Sequence, residues 1–260
     1  NNWTIEIKGC VEEPVTVTLG QLIEECKSVT KIMKANCQVN QPAGPCILNC
    51  EVTGIPFSEI FKYVDIDPEA NGLTTVGDDD WPRSIPMSFL QEHLDSCLLV
   101  YKLNGEYFPA RMGYPCQTWI PDLPFNTGIK RPVSMEFTKT EKEPSMQQGV
   151  VDYVTGVPLN RPNLCIYNMS NGQFFPKGQP ITFEGSADAF GSQVSYIEVS
   201  MDRGKTWTRF DTTDTTTEKW VYWYFTWTPE KEGSYVIKVR AVADDGTVQN
   251  TPSTLMFNVE

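Results

Sequence analysis

The stretch Tyr196–Phe210 reads "YIEVSMDRGKTWTRF", and it decides the fold class of the second half of the chain. Apolar and polar residues alternate over Tyr196–Ser200 and again over Trp207–Phe210, which is typical of strands with one buried face. The intervening Asp202-Arg203-Gly204 is a turn signal, because Asp and Gly favour tight turns. Two such strands around a turn predict a β-hairpin.

Similar strands are predicted on both sides of this hairpin. They are Ile181–Glu184, Trp220–Trp227, Tyr235–Ala241 and Leu255–Val259. Turn signals separate them at Lys231-Glu232-Gly233 and Asp245-Gly246. Six or seven short strands in about 80 residues predict a β-sandwich of immunoglobulin type. A Cys…Trp…Cys pattern is absent from this half, so an antibody-type domain is not expected.

One motif within the hairpin allows a second interpretation. Ser200–Trp207 fits the S-x-D-x-G-x-x-W turn of sialidase propellers, in which Asp202 would bond backbone N–H groups and Trp207 would pack below them. A propeller needs several blades, and a single copy of the motif cannot build one. The sandwich is therefore the preferred prediction.

The first half of the chain mixes strand and helix signals. The predicted strands are Thr4–Lys8, Val15–Thr18 and Cys97–Leu103, and the predicted helices are Leu19–Cys26, Pro56–Val64 and Met87–His93. Asn104-Gly105 predicts a hairpin turn into Tyr107–Phe108. This pattern indicates an α+β domain that is mostly β. The charged stretch Thr138–Ser145 lacks periodicity and suits a linker, so we predict domains at 1–145 and 146–260.

Composition excludes several function classes. The 260 residues carry 21 Lys+Arg and 33 Asp+Glu, a formal net charge of −12. An acidic surface repels phosphate backbones, so nucleic-acid binding is not expected. The apolar runs are far shorter than the roughly 20 residues that span a bilayer, so no membrane span is expected. His93 is the one histidine in the sequence, which excludes multi-His metal sites.

The first residues give an expectation about location. The sequence starts with Asn1-Asn2-Trp3-Thr4 and has no initiator methionine there. Either a targeting segment has been removed or the chain has been trimmed. We expect an exported, extracytoplasmic bacterial protein.

The eight cysteines, at positions 10, 26, 37, 46, 50, 97, 116 and 165, do not form a zinc or thioredoxin motif. The chain lacks CxxC, and it therefore also lacks the CxxCH motif that attaches a c-type haem. Cys46 and Cys50 are close in sequence and are candidates for a disulfide in an oxidising compartment. Because free cysteine behaves as a small hydrophobe, we expect most of the eight to be buried.

Several motifs, in this order, resemble the sulfite oxidase family of molybdopterin enzymes. In the first half they are the "G-x-V-x-x-P" pattern within Trp3–Gln21, "NCQVN" at Asn36–Asn40, "GIPFSEIFKYV" at Gly54–Val64, Ser84–Pro86, "LLVYKLNG" at Leu98–Gly105 and "MGYP" at Met112–Pro115. In the second half, Ile197–Trp207, Trp220–Trp223 and Val239–Gln249 resemble the immunoglobulin-like dimerisation domain of that family. The resemblance covers nearly the whole chain. It implies a sulfite-oxidase-type cofactor domain followed by an all-β immunoglobulin-like sandwich.

The resemblance assigns a metal ligand. In the family, one cysteine thiolate ligates molybdenum, and Cys37 holds the matching position, between Asn36 and Asn40, which we assign to cofactor binding. Val39 stands where the family has glycine. Arg83 and Arg111 are assigned to the catalytic pocket. The alternative for Cys37 is a buried apolar cysteine.

The same resemblance shows departures where the anionic cofactor tail is held. The family pattern "HG-x-P-x-R" appears here as Met112, Gly113 and Gln117, so its histidine and arginine are both replaced. The family's later Lys-Trp pair falls on Val133-Ser134, although Lys130 lies just upstream. Each charge-assisted hydrogen bond contributes roughly 1.5–3 kcal/mol, so three losses would weaken cofactor binding greatly. A sulfite pocket, which needs several arginines, is not supported.

Two functions remain open from the sequence. The first is a molybdopterin-dependent oxidoreductase that transfers an oxygen atom at a molybdenum held by Cys37. It would use an external electron partner, because the chain has no haem or iron–sulfur motif. The second is a degenerate, cofactor-free family member acting as a binding or structural protein. Whether the chain is an enzyme therefore stays open here.

A homodimer through the second domain is also implied by the family resemblance. In the strand Trp220–Trp227, alternate aromatic residues face opposite sides. A sandwich core buries one side, and the exposed side is typical of an interface. The alternative is that another part of the same chain covers this side.

Overall fold

Two units with separate cores make up the chain, whose computed structural model describes residues 2–146 and 149–260. One unit comprises the described residues of Asn1–Ala35 and Asn49–Gln147, and the other comprises those of Asn36–Leu48 and Gln148–Glu260. The segment 36–48, which carries Cys37, thus groups with the C-terminal residues. The assignment of a cofactor domain to 1–145 and a dimerisation domain to 146–260 stays a prediction.

The first unit contains the strands and helices up to residue 138. In chain order these are β1 (Thr4–Gly9), β2 (Val15–Thr18), α1 (Leu19–Glu25), β3 (Val29–Asn36), β4 (Ile47–Pro56), α2 (Phe57–Ile60), β5 (Gly72–Gly77), β6 (Pro82–Pro86), α3 (Met87–His93), β7 (Leu98–Leu103), β8 (Glu106–Tyr107), β9 (Gln117–Trp119) and β10 (Pro132–Thr138). Short 3₁₀ turns cover Phe61–Tyr63, Ala110–Met112 and Phe125–Thr127. The ends of β3 and β4 reach into the segment 36–48 that belongs to the other unit.

Two sheets organise the first unit. One has the order β2-β1-β10-β5-β6, with β1 and β10 parallel and the other neighbours antiparallel. The other has the order β3-β4-β7-β8, with β9 paired to β7. Ile5 and Ile7 of β1 are fully buried and alternate with polar residues, so the period-2 pattern of the sequence sets which side of β1 packs on the core.

The local predictions for this unit are confirmed. Helix α1 begins after Thr18, whose hydroxyl accepts a hydrogen bond of 3.0 Å from the backbone N–H of Gln21. The predicted helix over Pro56–Val64 is α2 followed by a 3₁₀ turn. Asn104 and Gly105 have φ angles of 49° and 81°, the left-handed pair that a type I′ hairpin turn requires. They join β7 to β8, as predicted.

The second unit is a two-sheet β-sandwich. Its strands are β11 (Asn163–Ile166), β12 (Gln173–Phe175), β13 (Ile181–Asp188), β14 (Val194–Ser200), β15 (Thr208–Asp211), β16 (Val221–Trp227), β17 (Gly233–Ala243) and β18 (Ser253–Val259). The sheets have the orders β11-β13-β16 and β12-β18-β17-β14-β15, and both contribute side chains to one core. This architecture confirms the sandwich, and the propeller interpretation is wrong. Its assignment to the immunoglobulin type stays a prediction.

Both units are dominated by strands, which confirms the mostly-β fold class. The longest α-helices in the described part of the chain have seven residues, and none of the helices described there could traverse a bilayer.

The turn between β14 and β15 is organised by the carboxylate of Asp202. It accepts hydrogen bonds from the hydroxyl of Thr206 at 2.6 Å, from the backbone N–H of Thr206 at 2.9 Å and from the backbone N–H of Lys205 at 3.0 Å. The Thr206 bonds are the main reason that the pKa of Asp202 lies well below its usual range, with the Ser200 hydroxyl adding to them. The ionised form of Asp202 therefore stabilises this hairpin.

We predict that Asp202→Asn lowers the melting temperature at pH 7, by roughly 2–4 °C, because an amide nitrogen cannot accept the Thr206 hydroxyl bond. A carboxyl with a lowered folded pKa contributes stability above its unfolded pKa of about 3.9 and loses it as the pH falls below that value. The difference between wild type and variant should therefore shrink below about pH 4. Scanning calorimetry from pH 3 to 7 measures it.

The matched control is Asp211→Asn, which removes an exposed carboxylate of the same hairpin that pairs with Arg209. A surface ion pair contributes little, so this change should leave the melting temperature nearly unchanged. Equal behaviour of the two variants across the pH range would contradict the assigned role of Asp202.

Candidate functional site

Cys37, the predicted metal ligand, follows directly after β3 in an irregular loop of the second unit. Its side chain is half-buried, and its carbonyl accepts a hydrogen bond of 3.0 Å from the backbone N–H of Asn40. Its own N–H donates to the carbonyl of Cys46 at 3.1 Å. The backbone of Cys37 is therefore fixed by two hydrogen bonds, one within the turn to Asn40 and one to Cys46. The alternative of a fully buried apolar cysteine is not what the structure shows.

Asparagine side chains replace regular backbone pairing in this loop. The Oδ1 atom of Asn40 accepts from the N–H of Cys46 at 3.0 Å. Asn163 binds the loop twice, since its Oδ1 accepts from the N–H of Ala43 at 2.7 Å and its Nδ2 donates to the carbonyl of Gly44 at 3.0 Å. Gly44 is required here, because a Cβ at this position would lie 2.4 Å from Asn40 Oδ1. These bonds fix the loop that carries Cys37.

Three buried asparagines of the second unit carry unpaired polar atoms. Asn36, Asn40 and Asn160 are exposed by 3%, 3% and 0%. Asn36 donates to a carboxylate oxygen of Asp188 at 3.2 Å, and Asn160 donates to the carbonyl of Asn40 at 2.8 Å. Among the residues described, Asn36 Oδ1, Asn40 Nδ2 and Asn160 Oδ1 are nevertheless without a protein partner. Buried atoms of this kind call for a ligand or ordered water, because leaving one unpaired costs roughly 1–3 kcal/mol.

The loop after Ala110–Met112 belongs to the first unit, and it brings four of the predicted cofactor residues together. Gly113 has a φ of +93°, and a Cβ there would meet the Lys130 side chain at 3.0 Å. Gln117 forms an isolated β-bridge with Lys130. Met112 is exposed, and its carbonyl accepts a hydrogen bond from Gln117 Nε2. Met112, Gly113, Gln117 and Lys130 are therefore neighbours.

The side chain of Gln117 serves the fold of this loop. It is 3% exposed, its Nε2 donates to Met112 and its Oε1 accepts from Trp119 Nε1 at 3.1 Å. Both ends of the amide are thus engaged inside the protein. An arginine here would place a charge at a buried position, whereas the neutral amide of Gln117 is bonded at both ends.

The cations of the first unit differ in what they contact. Arg131 is committed to Asp78, with its Nε and Nη2 at 2.9 and 2.8 Å from one carboxylate oxygen. Arg83 lies on β6, donates to the carbonyl of Pro82 and stacks on the ring of Trp81 at 4.4 Å. Arg111 and Lys130 are exposed. Arg111 and Lys130 are therefore the cations near this loop that can approach an anion in water.

The other cysteines are poorer metal ligands than Cys37. Burial raises the pKa of both Cys97 and Cys116 to about 12, so these thiols stay protonated at neutral pH. Cys165 is also buried. Only three of the eight cysteines are fully buried, so the expectation that most would be is wrong. The other five cysteines are half-buried or exposed, so solvent reaches part of each side chain.

The predicted Cys46–Cys50 disulfide is also absent, because all eight cysteines are thiols. Cys50 lies on β4, where the extended chain from Ile47 to Cys50 alone covers roughly 10 Å. A disulfide spans Cα atoms that are at most about 7 Å apart. Cys46 instead contacts Cys37, and burial, followed by the proximity of Cys37, raises the pKa of its thiol.

No cluster of three or more His, Cys, Asp or Glu side chains in the described part of the chain could enclose a metal ion. A metal at Cys37 would therefore take its remaining ligands from a cofactor and from solvent.

The profile of the oxidoreductase molybdopterin-binding domain family matches residues 1–146 of the chain. The chain belongs to this family, which is of the sulfite oxidase type. The resemblance noted in the sequence motifs is thereby confirmed. Membership covers the part of the chain that contains Cys37, the Met112–Gln117 loop and Lys130.

Relatives and a solved structure extend the comparison over the whole chain. The NADH nitrate reductases of Solanum lycopersicum and Spinacia oleracea are 22% and 24% identical to this family member and cover 100% and 99% of it. The chain spans only about a third of their lengths, 35% and 34%. The sulfane dehydrogenase SoxCD of Paracoccus pantotrophus shares the fold, with a TM-score of 0.73 and 19% identity over 96% of this chain and 69% of that one.

We predict that Gln117→Leu lowers the free energy of unfolding by about 1–3 kcal/mol, because it removes both internal hydrogen bonds and leaves the buried Trp119 N–H unpaired. Gln117→Arg, which restores the family residue, should cost more, since a buried charge without a partner is strongly unfavourable. Urea unfolding followed by tryptophan fluorescence measures both losses.

Gln91→Leu is the matched control, since Gln91 is exposed on α3 and its loss should change stability little. If Gln117→Arg were as stable as the wild type, the loop would have room for the family's cation and the structural role of Gln117 would be refuted.

Proposed function

We propose that the chain is a molybdopterin-dependent oxidoreductase in which Cys37 is the protein ligand of molybdenum. The observation that carries this proposal is the half-buried Cys37 thiol, in a loop fixed by asparagine side chains and next to buried amides with unpaired polar atoms. A large polar cofactor supplies the partners that such atoms need. When bound, the cofactor would supply oxygen-atom-transfer chemistry at its metal.

Residues of the second unit suit the metal-binding part of this cofactor. Cys37 offers a sulfur ligand of the soft type that such centres prefer, and Asn36 and Asn40 offer amide groups. Lys130 and Arg111 of the first unit are exposed cations of the kind that attract an anionic phosphate. Cofactor affinity should be lower than in family members that retain all three donors.

The substrate and the electron partner are proposed only as chemical classes. The relatives' names specify nitrate and NADH, and the structural neighbour's name specifies a sulfane compound. We propose an oxyanion or a sulfur compound as substrate and an external electron partner. An extracytoplasmic location stays a prediction.

The experiment that tests the proposal is elemental analysis for molybdenum on protein made in a cofactor-competent host. The wild type should contain molybdenum, and Cys37→Ser should lose it while keeping its circular dichroism spectrum, because the half-buried thiol contributes little to the core.

Cys50→Ser is the control, since Cys50 is half-buried like Cys37 but lies on β4. Molybdenum in Cys37→Ser at the wild-type level would remove Cys37 as the ligand. A folded wild type without molybdenum, from a host that loads another molybdopterin enzyme, would favour the second candidate. That candidate is a cofactor-free binding or structural protein, and the internal bonding of Gln117 is the observation that favours it.

A homodimer through the second unit is part of the proposal. On β16, Trp223 is buried in the core while Tyr222 and Tyr224 of the opposite face are exposed by 51% and 70%. Tyr167 follows β11, is 47% exposed, and its backbone N–H donates to the carbonyl of Glu184 on β13 at 3.1 Å. An exposed aromatic surface of this kind is typical of protein interfaces.

We predict that the double variant Tyr222→Lys, Tyr224→Lys dissociates the dimer, because two charges would have to be buried at the interface. Sedimentation velocity at micromolar concentration should show a dimer for the wild type and a 29.4 kDa monomer for the variant. The control places lysines at two other exposed aromatics of this unit, Tyr153 and Phe174. A monomeric wild type would contradict the proposed dimer.

A further inference from the structure

Cys37 and Cys46 lie side by side at the two ends of the loop that the asparagines fix. The Cys37 N–H donates to the Cys46 carbonyl at 3.1 Å, and this bond brings the two residues together. Standard backbone bond lengths then limit the separation of the two Cα atoms to about 7 Å at most. Disulfides join Cα atoms that are roughly 4.4–6.8 Å apart, so the bond keeps the pair close to this range.

The surrounding loop would tolerate a bond between the two sulfurs. Its backbone is held by the side chains of Asn40 and Asn163, and these hydrogen bonds involve neither thiol. Cys46 is exposed and Cys37 is half-buried, so a reagent from solvent reaches Cys46 first. The loop therefore presents one accessible thiol with a second thiol directly behind it.

We propose that Cys37 and Cys46 form a reversible disulfide by exchange with a low-molecular-weight disulfide of the glutathione class. The Cys46 sulfur attacks one sulfur of this oxidant and releases the first small thiol. The Cys37 sulfur then attacks the Cys46 sulfur of the mixed disulfide and releases the second. The protein loses two electrons and two protons, and the oxidant is reduced to two thiols, which take up both protons.

This bond withdraws the sulfur that the proposed metal site needs. A metal binds the thiolate and not a disulfide sulfur, so the oxidised chain has no ligand at position 37. Oxidation and metal ligation should therefore exclude each other. This consequence rests on the proposed function, whereas formation of the disulfide does not.

Four of the other cysteines are less suited to pair with Cys46. Cys50 is too far along the extended β4, and Cys97, Cys116 and Cys165 are buried. We therefore expect Cys46 to form its disulfide with Cys37 and not with these four cysteines.

The test uses the full chain, fully reduced and then incubated with glutathione disulfide under anaerobic conditions. Free thiols are alkylated, and peptides are mapped by mass spectrometry without reduction. The wild type should lose two of its eight alkylatable thiols and yield a peptide linked through Cys37 and Cys46. Cys50→Ser should give the same linked peptide, and Cys46→Ser should leave Cys37 as a thiol.

Two results would overturn the disulfide. One is wild-type protein in which Cys46 carries only a glutathione adduct while Cys37 stays alkylatable. The other is linkage of Cys46 to any other cysteine. Near-ultraviolet circular dichroism of each variant verifies that the fold is retained, and Cys46 is exposed, so its replacement by serine should not disturb packing.

A second arm separates this inference from the proposed function. Molybdenum-loaded wild type should resist cross-linking, and prior oxidation should prevent loading in the wild type but not in Cys46→Ser. If the cross-link forms but neither protein ever contains molybdenum, the proposed function fails and the disulfide stands. If molybdenum binds through Cys37 but the cross-link does not form, the disulfide fails and the proposed function stands.

Discussion

The loop of residues 36–48 lacks helix or sheet pairing over most of its length, so its backbone polar groups depend on asparagine side chains. Asn40 binds Cys46 within the loop, and Asn160 and Asn163 bind the loop from elsewhere in the second unit. An amide is suited to this task because it accepts and donates at once. The position of the Cys37 thiol, and with it every proposal about a metal or a disulfide, follows from this set of bonds.

The substitutions at the family motif are explained by the same requirement for satisfied polar groups. Gln117 fills a buried position with a neutral amide, and both of its ends are bonded to Met112 and Trp119. An arginine needs an anion at such a position, whereas a glutamine completes the loop without one. The loop passes through the left-handed Gly113, and the exposed Lys130 lies beside it.

Sequence patterns predicted most of the fold because they report on local and periodic constraints. The alternation in β1 and β14, the start of α1 at Leu19 and the Asn104-Gly105 turn all depend on neighbouring residues, and all are found as predicted. Eight strands were missed, namely β3, β4, β5, β6, β9, β10, β11 and β12. β12 has three residues, too few to show a period, and β11 is buried over most of its length and so shows no alternation.

The site was harder to predict, because its contacts join residues that are distant in sequence. Cys37, Asn36 and Asn40 were found through the family motif, but Asn160 and Asn163 lie about 120 positions away and match no motif. The contact between Cys37 and Cys46 was also missed. Cysteine spacing alone favoured Cys50, and only the turn geometry of the loop brings Cys46 to Cys37 instead.

The placement of segment 36–48 has a consequence for how the polypeptide folds and how it can be divided. The chain passes from one unit to the other three times: between residues 35 and 36, between residues 48 and 49, and between residues 146 and 149. A fragment that ends near 146 would keep the loop but lose Asn160 and Asn163, and a fragment that begins there would keep these amides without the backbone that they bind. Neither piece contains the Cys37 loop together with all of the amides that bind it. These contacts have a long sequence separation, which raises the contact order, and Asn160 and Asn163 can bind the loop only after the chain has been synthesised past residue 163.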